Sequence, residues 1–134
     1  ITKQYKYGTT VVSPEGTVTM TGNNWVRFPI NCVLTESSIV SLKLKIEGQA
    51  EIVGIGMETD TKETSNRIIR FSGTQEWGLD GTANFDESSN AVEFPVGKYI
   101  TGQIDYLYLL LDYDSVTPIE NKVKVVFSNI RVSE

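Results

Sequence analysis

The sequence contains no histidine. That removes the side chain most often used as a general base or metal ligand near neutral pH. It has one cysteine, Cys32, so no disulfide can form within the chain. Cys32 lies in the apolar stretch between Ile30 and Val33 and is expected to be a buried thiol rather than a reactive one. Basic residues are outnumbered, twelve Lys and Arg against seventeen Asp and Glu, for a net charge of -5. With no basic stripe to neutralise phosphates, nucleic acid is excluded as an expected partner. The same charge argues, less strongly, against acidic polysaccharides such as pectin or alginate. No run approaches the ~18 apolar residues of a membrane span, so no membrane partner is expected. There is no phosphate-cradling glycine loop, no G-x-S-x-G elbow and no Cys/His metal spacing. No signal peptide is visible. The first residue is not Met, which leads us to expect a module cut from a longer precursor.

What is present is strand-forming. The 134 residues suit one domain, 1–134, with one core. Thr and Val are abundant, and Gly, Asn, Asp and Ser punctuate the chain at short intervals. No window sustains a helical period. Residues 5–12 and 17–21 form a first pair around Ser13-Pro14-Glu15-Gly16, where proline and glycine stand as a type I turn prefers. Further strands are expected at 24–30, 39–47, 50–58, 67–72, 91–95, 103–111 and 122–132. In 39–47, Leu42, Leu44 and Ile46 alternate with Lys43, Lys45 and Glu47, the pattern of a half-buried antiparallel strand. About nine short strands in this length make an all-β antiparallel sandwich, with a jelly roll as the expected type. Leu42, Leu44, Ile46, Val53, Ile55, Leu107, Leu109, Leu111, Val125 and Phe127 are its expected core.

The stretch 103–114, Q-I-D-Y-L-Y-L-L-L-D-Y-D, carries the first functional candidates. Side chains alternate across a strand, so Leu107, Leu109 and Leu111 share the core face. Ile104, Tyr106, Tyr108, Leu110 and Asp112 share the other. Two tyrosines on an outward face are what a sugar-stacking platform needs, and also what an ordinary covered strand shows. In 50–58, Gly54 and Gly56 stand on the face opposite Val53, Ile55 and Met57. They mark either a shallow trough for a ligand or a bulge where backbones approach. Trp77, in the loop sequence G-T-Q-E-W-G, is either a solvent-facing stacking residue or a lid over the end of the sandwich. Trp25, inside a strand, is expected in the core.

If consecutive strands run up and down, loops 73–90 and 112–121 fall at one end and loop 59–66 at the other. Trp77, Asp80, Asp86, Asp112, Tyr113 and Asp114 would then gather. As a catalytic pair these carboxylates lack a distinguishing acid and partner. As a calcium site, Asp112 and Asp114 with Asp80 or Asp86 supply the hard oxygen ligands that ion takes six to eight at a time. As solvated loop charges they need no further role.

Taken together, G-N-N-W-V-R-F-P at 22–29, Q-A-E-I-V-G-I-G-M-E-T-D at 49–60, G-T-Q-E-W-G at 73–78, F-P-V-G-K-Y-I-T-G at 94–102, I-D-Y-L-Y-L-L-L-D-Y-D at 104–114 and F-S-N-I-R-V at 127–132 resemble bacterial carbohydrate-binding modules. Such modules are appended to secreted polysaccharide-degrading enzymes. The resemblance implies a non-catalytic, extracellular jelly roll that binds plant or algal polysaccharide, often with a structural calcium. The expected ligand is a neutral β-glucan chain: cellulose-type, mixed-linkage or xyloglucan. Its expected contacts are Trp77, Tyr106, Tyr108, Tyr113, Gln75, Asp80 and Arg70, with Asp112, Asp114 and Asp86 as metal ligands. A monomer joined to a catalytic module is expected. The alternative is a structural or adhesive sandwich that binds a protein partner, in which the same aromatics are buried or meet another chain.

Overall fold

The computed structural model describes residues 9–62, 64–112 and 123–133. They form an all-β sandwich of two sheets. The strands are β1 (Thr9–Val12), β2 (Val18–Thr21), β3 (Asn24–Leu34), β4 (Ile39–Glu47), β5 (Ile52–Glu58), β6 (Ile68–Ser72), β7 (Leu79–Asp80), β8 (Phe85–Asp86), β9 (Ala91–Phe94), β10 (Gly102–Asp112) and β11 (Lys124–Ser133). One sheet has the order β1-β2-β11-β4-β9-β8, the other β3-β10-β5-β6-β7. All pairings are antiparallel except β6 with β7. The first turn forms as its residues require: Gly16 N–H donates to the Ser13 carbonyl at 3.0 Å, and Gly16 takes a φ of 86°.

The inward faces follow the alternation of the sequence. Leu42, Leu44, Val53, Ile55, Leu109, Leu111, Val125 and Phe127 are buried in one cluster between the sheets. Ile46 and Leu107 pack against that cluster but are only partly buried. Leu107 lines a cavity of about 320 Å³ with Ile30, Cys32, Met57, Ile130 and Val132, which keeps it short of full burial. Cys32 is likewise half-buried.

Strict alternation fails at one place on β10. The register slips between Ile104 and Tyr106, where Cys32 and Pro29, three residues apart on β3, face residues two apart on β10. Beyond the irregularity Ile104 joins the inner core instead of the tyrosine face. A bulge of this kind bends the strand and re-aims the side chains that follow it.

Backbone hydrogen bonds place the start of the 73–78 loop. Glu51 N–H donates to the Asp112 carbonyl at 2.8 Å, and Gln75 N–H to the Glu51 carbonyl at 2.9 Å. Loop 73–78 therefore starts beside the end of β10, and the connection from β5 to β6 lies at the other end.

Candidate functional site

The outer face of the five-stranded sheet has its own apolar cluster. Trp25, Ile68, Tyr108 and Leu110 are buried there, and Trp77 and Tyr106 pack against them partly exposed. Register places these residues in rows across the strands. Trp25, Leu110, Gly54, Arg70 and Asp80 form one row. Arg27, Tyr108, Gly56 and Ile68 form the next, and Pro29, Tyr106 and Glu58 the third. Trp25 is buried as expected, but in this outer cluster rather than between the sheets.

Trp77 reaches the face because of β7. Leu79 and Asp80 run parallel to Ile69 and Arg70, so residues 73–78 must travel back along β6 before pairing can begin. They return over the outer face and bring Trp77 against Trp25, with ring centroids 5.7 Å apart and planes at 45°. A tilted pair at this distance is the favourable arrangement of two aromatic quadrupoles. The loop is held at both ends by glycine. A Cβ on Gly73 would lie 2.1 Å from the Glu51 carbonyl oxygen, and one on Gly78 2.8 Å from that of Ile68. Trp77 is thus not at the loop end of the sandwich, and it lies in the same cluster as the Tyr106 face.

The glycines of β5 leave no open trough. A Cβ on Gly56 would stand 3.1 Å from both Tyr108 Cβ and Ile68 Cγ1, whose side chains converge over it. At Gly54 the register with β6 shifts, and an added Cβ would meet the Ile69 carbonyl oxygen at 2.0 Å. Gly54 is therefore a backbone-approach glycine, the bulge alternative. Tyr108, at 2% exposure, offers no free stacking surface. Cross-strand packing from Trp25 to Ile68 covers it, a long-range effect that alternation along β10 does not contain.

The polar candidates divide. Gln75 is exposed on the loop. Arg70 is buried; its Nη1 donates to the Gly73 carbonyl at 3.2 Å and its Nη2 lies 3.8 Å from Asp80. Its place is therefore under the Trp77 loop, holding it. Asp80 is exposed, and its carboxylate accepts from the Thr82 hydroxyl at 2.7 Å and the Thr82 N–H at 3.0 Å. Those bonds, hydroxyl first, hold its pKa below the usual carboxylate value. Asp86 repeats the motif with the Ser88 hydroxyl at 2.6 Å and N–H at 3.0 Å, and its pKa is lowered for the same reason. Asp86 belongs to the six-stranded sheet, while the largely buried Asp112 ends β10 in the other. Among the described residues no three His, Cys, Asp or Glu side chains group to hold a metal ion. Tyr113 and Asp114 of the expected set lie outside the described residues.

Two side chains of this face were not singled out from the sequence: Trp25, as the prop under Trp77, and Arg27. Arg27 is partly exposed, with its guanidinium carbon 5.8 Å from the Tyr106 ring centroid. The signal was available, since a period of two from Trp25 puts Arg27 on the same face.

Glu58 closes the third row at 1% exposure. Its Oε2 accepts the Thr64 N–H at 2.8 Å, and the Thr64 hydroxyl lies 3.1 Å and 3.2 Å from its two oxygens. Burial raises its pKa above 4.5, outweighing the bonds from Thr64 and the charge of Arg67, with Asp60 adding a smaller upward push. A carboxyl whose pKa is raised on folding favours the folded state most below its unfolded pKa. That contribution is lost as the pH climbs through the raised value. The stability of the native chain relative to Glu58→Gln should accordingly fall as pH rises from just below 4.5, as urea melts at stepped pH will show. A difference that does not vary with pH would assign Glu58 an ordinary carboxyl.

Compared with protein-family models, with curated proteins and with solved structures, the chain gives no match.

Proposed function

We propose that this chain is a non-catalytic carbohydrate-binding module that holds a neutral β-glucan chain on the outer face of its five-stranded sheet. The carrying observation is Trp77, a loop aromatic laid on that face, propped by Trp25 and left partly exposed in the same cluster as Tyr106. Flat, partly exposed rings on a rigid sheet suit the apolar faces of sugar rings, and the exposed amide of Gln75 suits their hydroxyls. The order β2-β11-β4-β9 packed on β3-β10-β5-β6 supports the jelly-roll type. We further propose a secreted, bacterial, monomeric module that targets an attached glycoside hydrolase to its polymer. A structural calcium belongs to this reading only through Asp112 and the undescribed Asp114. The burial of Tyr108 and Trp25 favours the second reading, a structural or adhesive sandwich with a protein partner.

Affinity electrophoresis against neutral and acidic polysaccharides separates the two. Trp77→Ala should weaken β-glucan binding at least about fivefold, since stacking on an aromatic ring is worth ~1–3 kcal/mol for nucleobases and sugars should fall at the low end. Loss of the Trp25 pair should lower stability by only about 0.5–1.5 kcal/mol beyond the lost area. Undiminished binding by a folded Trp77→Ala chain would move the site elsewhere.

A further inference from the structure

We infer that Arg27 is a specificity residue that selects a carboxylate-bearing substituent, a uronic acid side group, on an otherwise neutral glycan. The inference rests on the platform reading above and adds a charge requirement to it.

Three cations belong to β3, β6 and the turn before β6, and two are committed. Arg70 is buried beneath the Trp77 loop, bonded to Gly73 and paired with Asp80. Arg67 donates to the Met57 carbonyl at 3.4 Å and faces the buried Glu58. Arg27 differs. Among the described residues no carboxylate lies within ion-pair distance of it, and its contact is the ring of Tyr106. A guanidinium lying over an aromatic ring is held in place by it, while its N–H edge stays able to form two parallel bonds to a carboxylate.

Two described acids near this face already accept hydrogen bonds. Glu58 is closed off by Thr64, and Asp105 accepts from Gln103 Nε2 at 3.2 Å. In a chain of net charge -5, a cation without a carboxylate partner among the described residues, beside the stacking residues, stands out as a recognition element. The same net charge sets the density of the ligand's charge. A polyanion would be repelled along its length, whereas one carboxylate on a neutral backbone meets one guanidinium. Arg27 stands on β3, three strand spacings or about 14 Å from Ile68 on β6, so the acidic group would mark one end of the bound segment.

The test uses the full chain and two soluble probes: a β-linked glycan bearing glucuronic acid side groups, and the same polymer after its carboxyls are reduced to alcohols. Calorimetry should show the acidic polymer binding about three- to tenfold more tightly, a preference that fades at ~1 M salt as the Debye length shrinks to about 3 Å. Arg27→Ala should erase the preference, so that the acidic and the reduced polymers bind with the same affinity as each other; Arg27→Lys should keep part of it, and Arg27→Glu should reverse it. Equal binding of both polymers by the native chain overturns the inference and leaves the platform standing. A carboxyl preference that needs Arg27 but survives Trp77→Ala keeps the Arg27 site and removes the platform. Failure of the native chain to bind either polymer overturns both.

Discussion

Leu109→Ala should lower the free energy of unfolding by about 2–5 kcal/mol, the range for truncating a fully buried leucine. Leu109 has 0% exposure and sits mid-sheet, paired with Val26 on β3 and Ile55 on β5. Its neighbours Leu107 and Leu111 hold the strand on both sides, so the site cannot collapse easily and the cavity persists. The upper half of the range is expected for that reason. Leu107→Ala makes the useful comparison, because Leu107 is only partly buried where Leu109 is fully buried, and it should cost less. Chemical denaturation with matched slopes measures both. Equal losses for the two would mean that Leu107 is as fully buried as Leu109.

Gly73→Ala should be nearly as damaging, at roughly 2–4 kcal/mol, for a different reason. Gly73 has a φ of 131°, a conformation that side-chain-bearing residues avoid at a cost of order 1–3 kcal/mol. The added Cβ would also fall 2.1 Å from the Glu51 carbonyl oxygen, so backbone must move. The bond from Gln75 N–H to that carbonyl would go with it, releasing the loop that carries Trp77. Gly16→Ala isolates the conformational part, because Gly16 has a φ of 86° and nothing within 4 Å of its would-be Cβ. Gly73→Ala should exceed Gly16→Ala by well over 1 kcal/mol and should also change tryptophan fluorescence. Equal effects, with no spectral change, would show that the loop adapts without moving Trp77.

Much of the fold was legible because burial in a sandwich imposes a period of two. Leu42 and Leu44 on β4, and Leu109 and Leu111 on β10, obey it and are buried as read. The departures are tertiary. Ile104 left the tyrosine face because β3 and β10 slip register, and a slip depends on two strands at once. Tyr108 was covered by residues from β3 and β6, remote in sequence. The two-residue strands β7 and β8 have no periodic signature, yet β7 decides where Trp77 goes. A turn-rich loop such as 73–78 reads as an excursion at the end of the sandwich, and nothing local reveals that it doubles back. The carboxylates Asp80 and Asp86 stood out by residue type, but their turn partners Thr82 and Ser88, two residues on, were the better guide to their roles.

The position of β11 has a consequence for the order in which the molecule assembles. This strand, the last one described, lies inside its sheet between β2 and β4. Until it is inserted, β2 and β4 have no bridge, and the lower lid of the core lacks Val125 and Phe127. Contacts between segments far apart in sequence carry a high loop-closure cost and slow the search for the native state. During synthesis the earlier strands must therefore wait with their edges unpaired, the interval in which a β-protein is most prone to associate with its own copies.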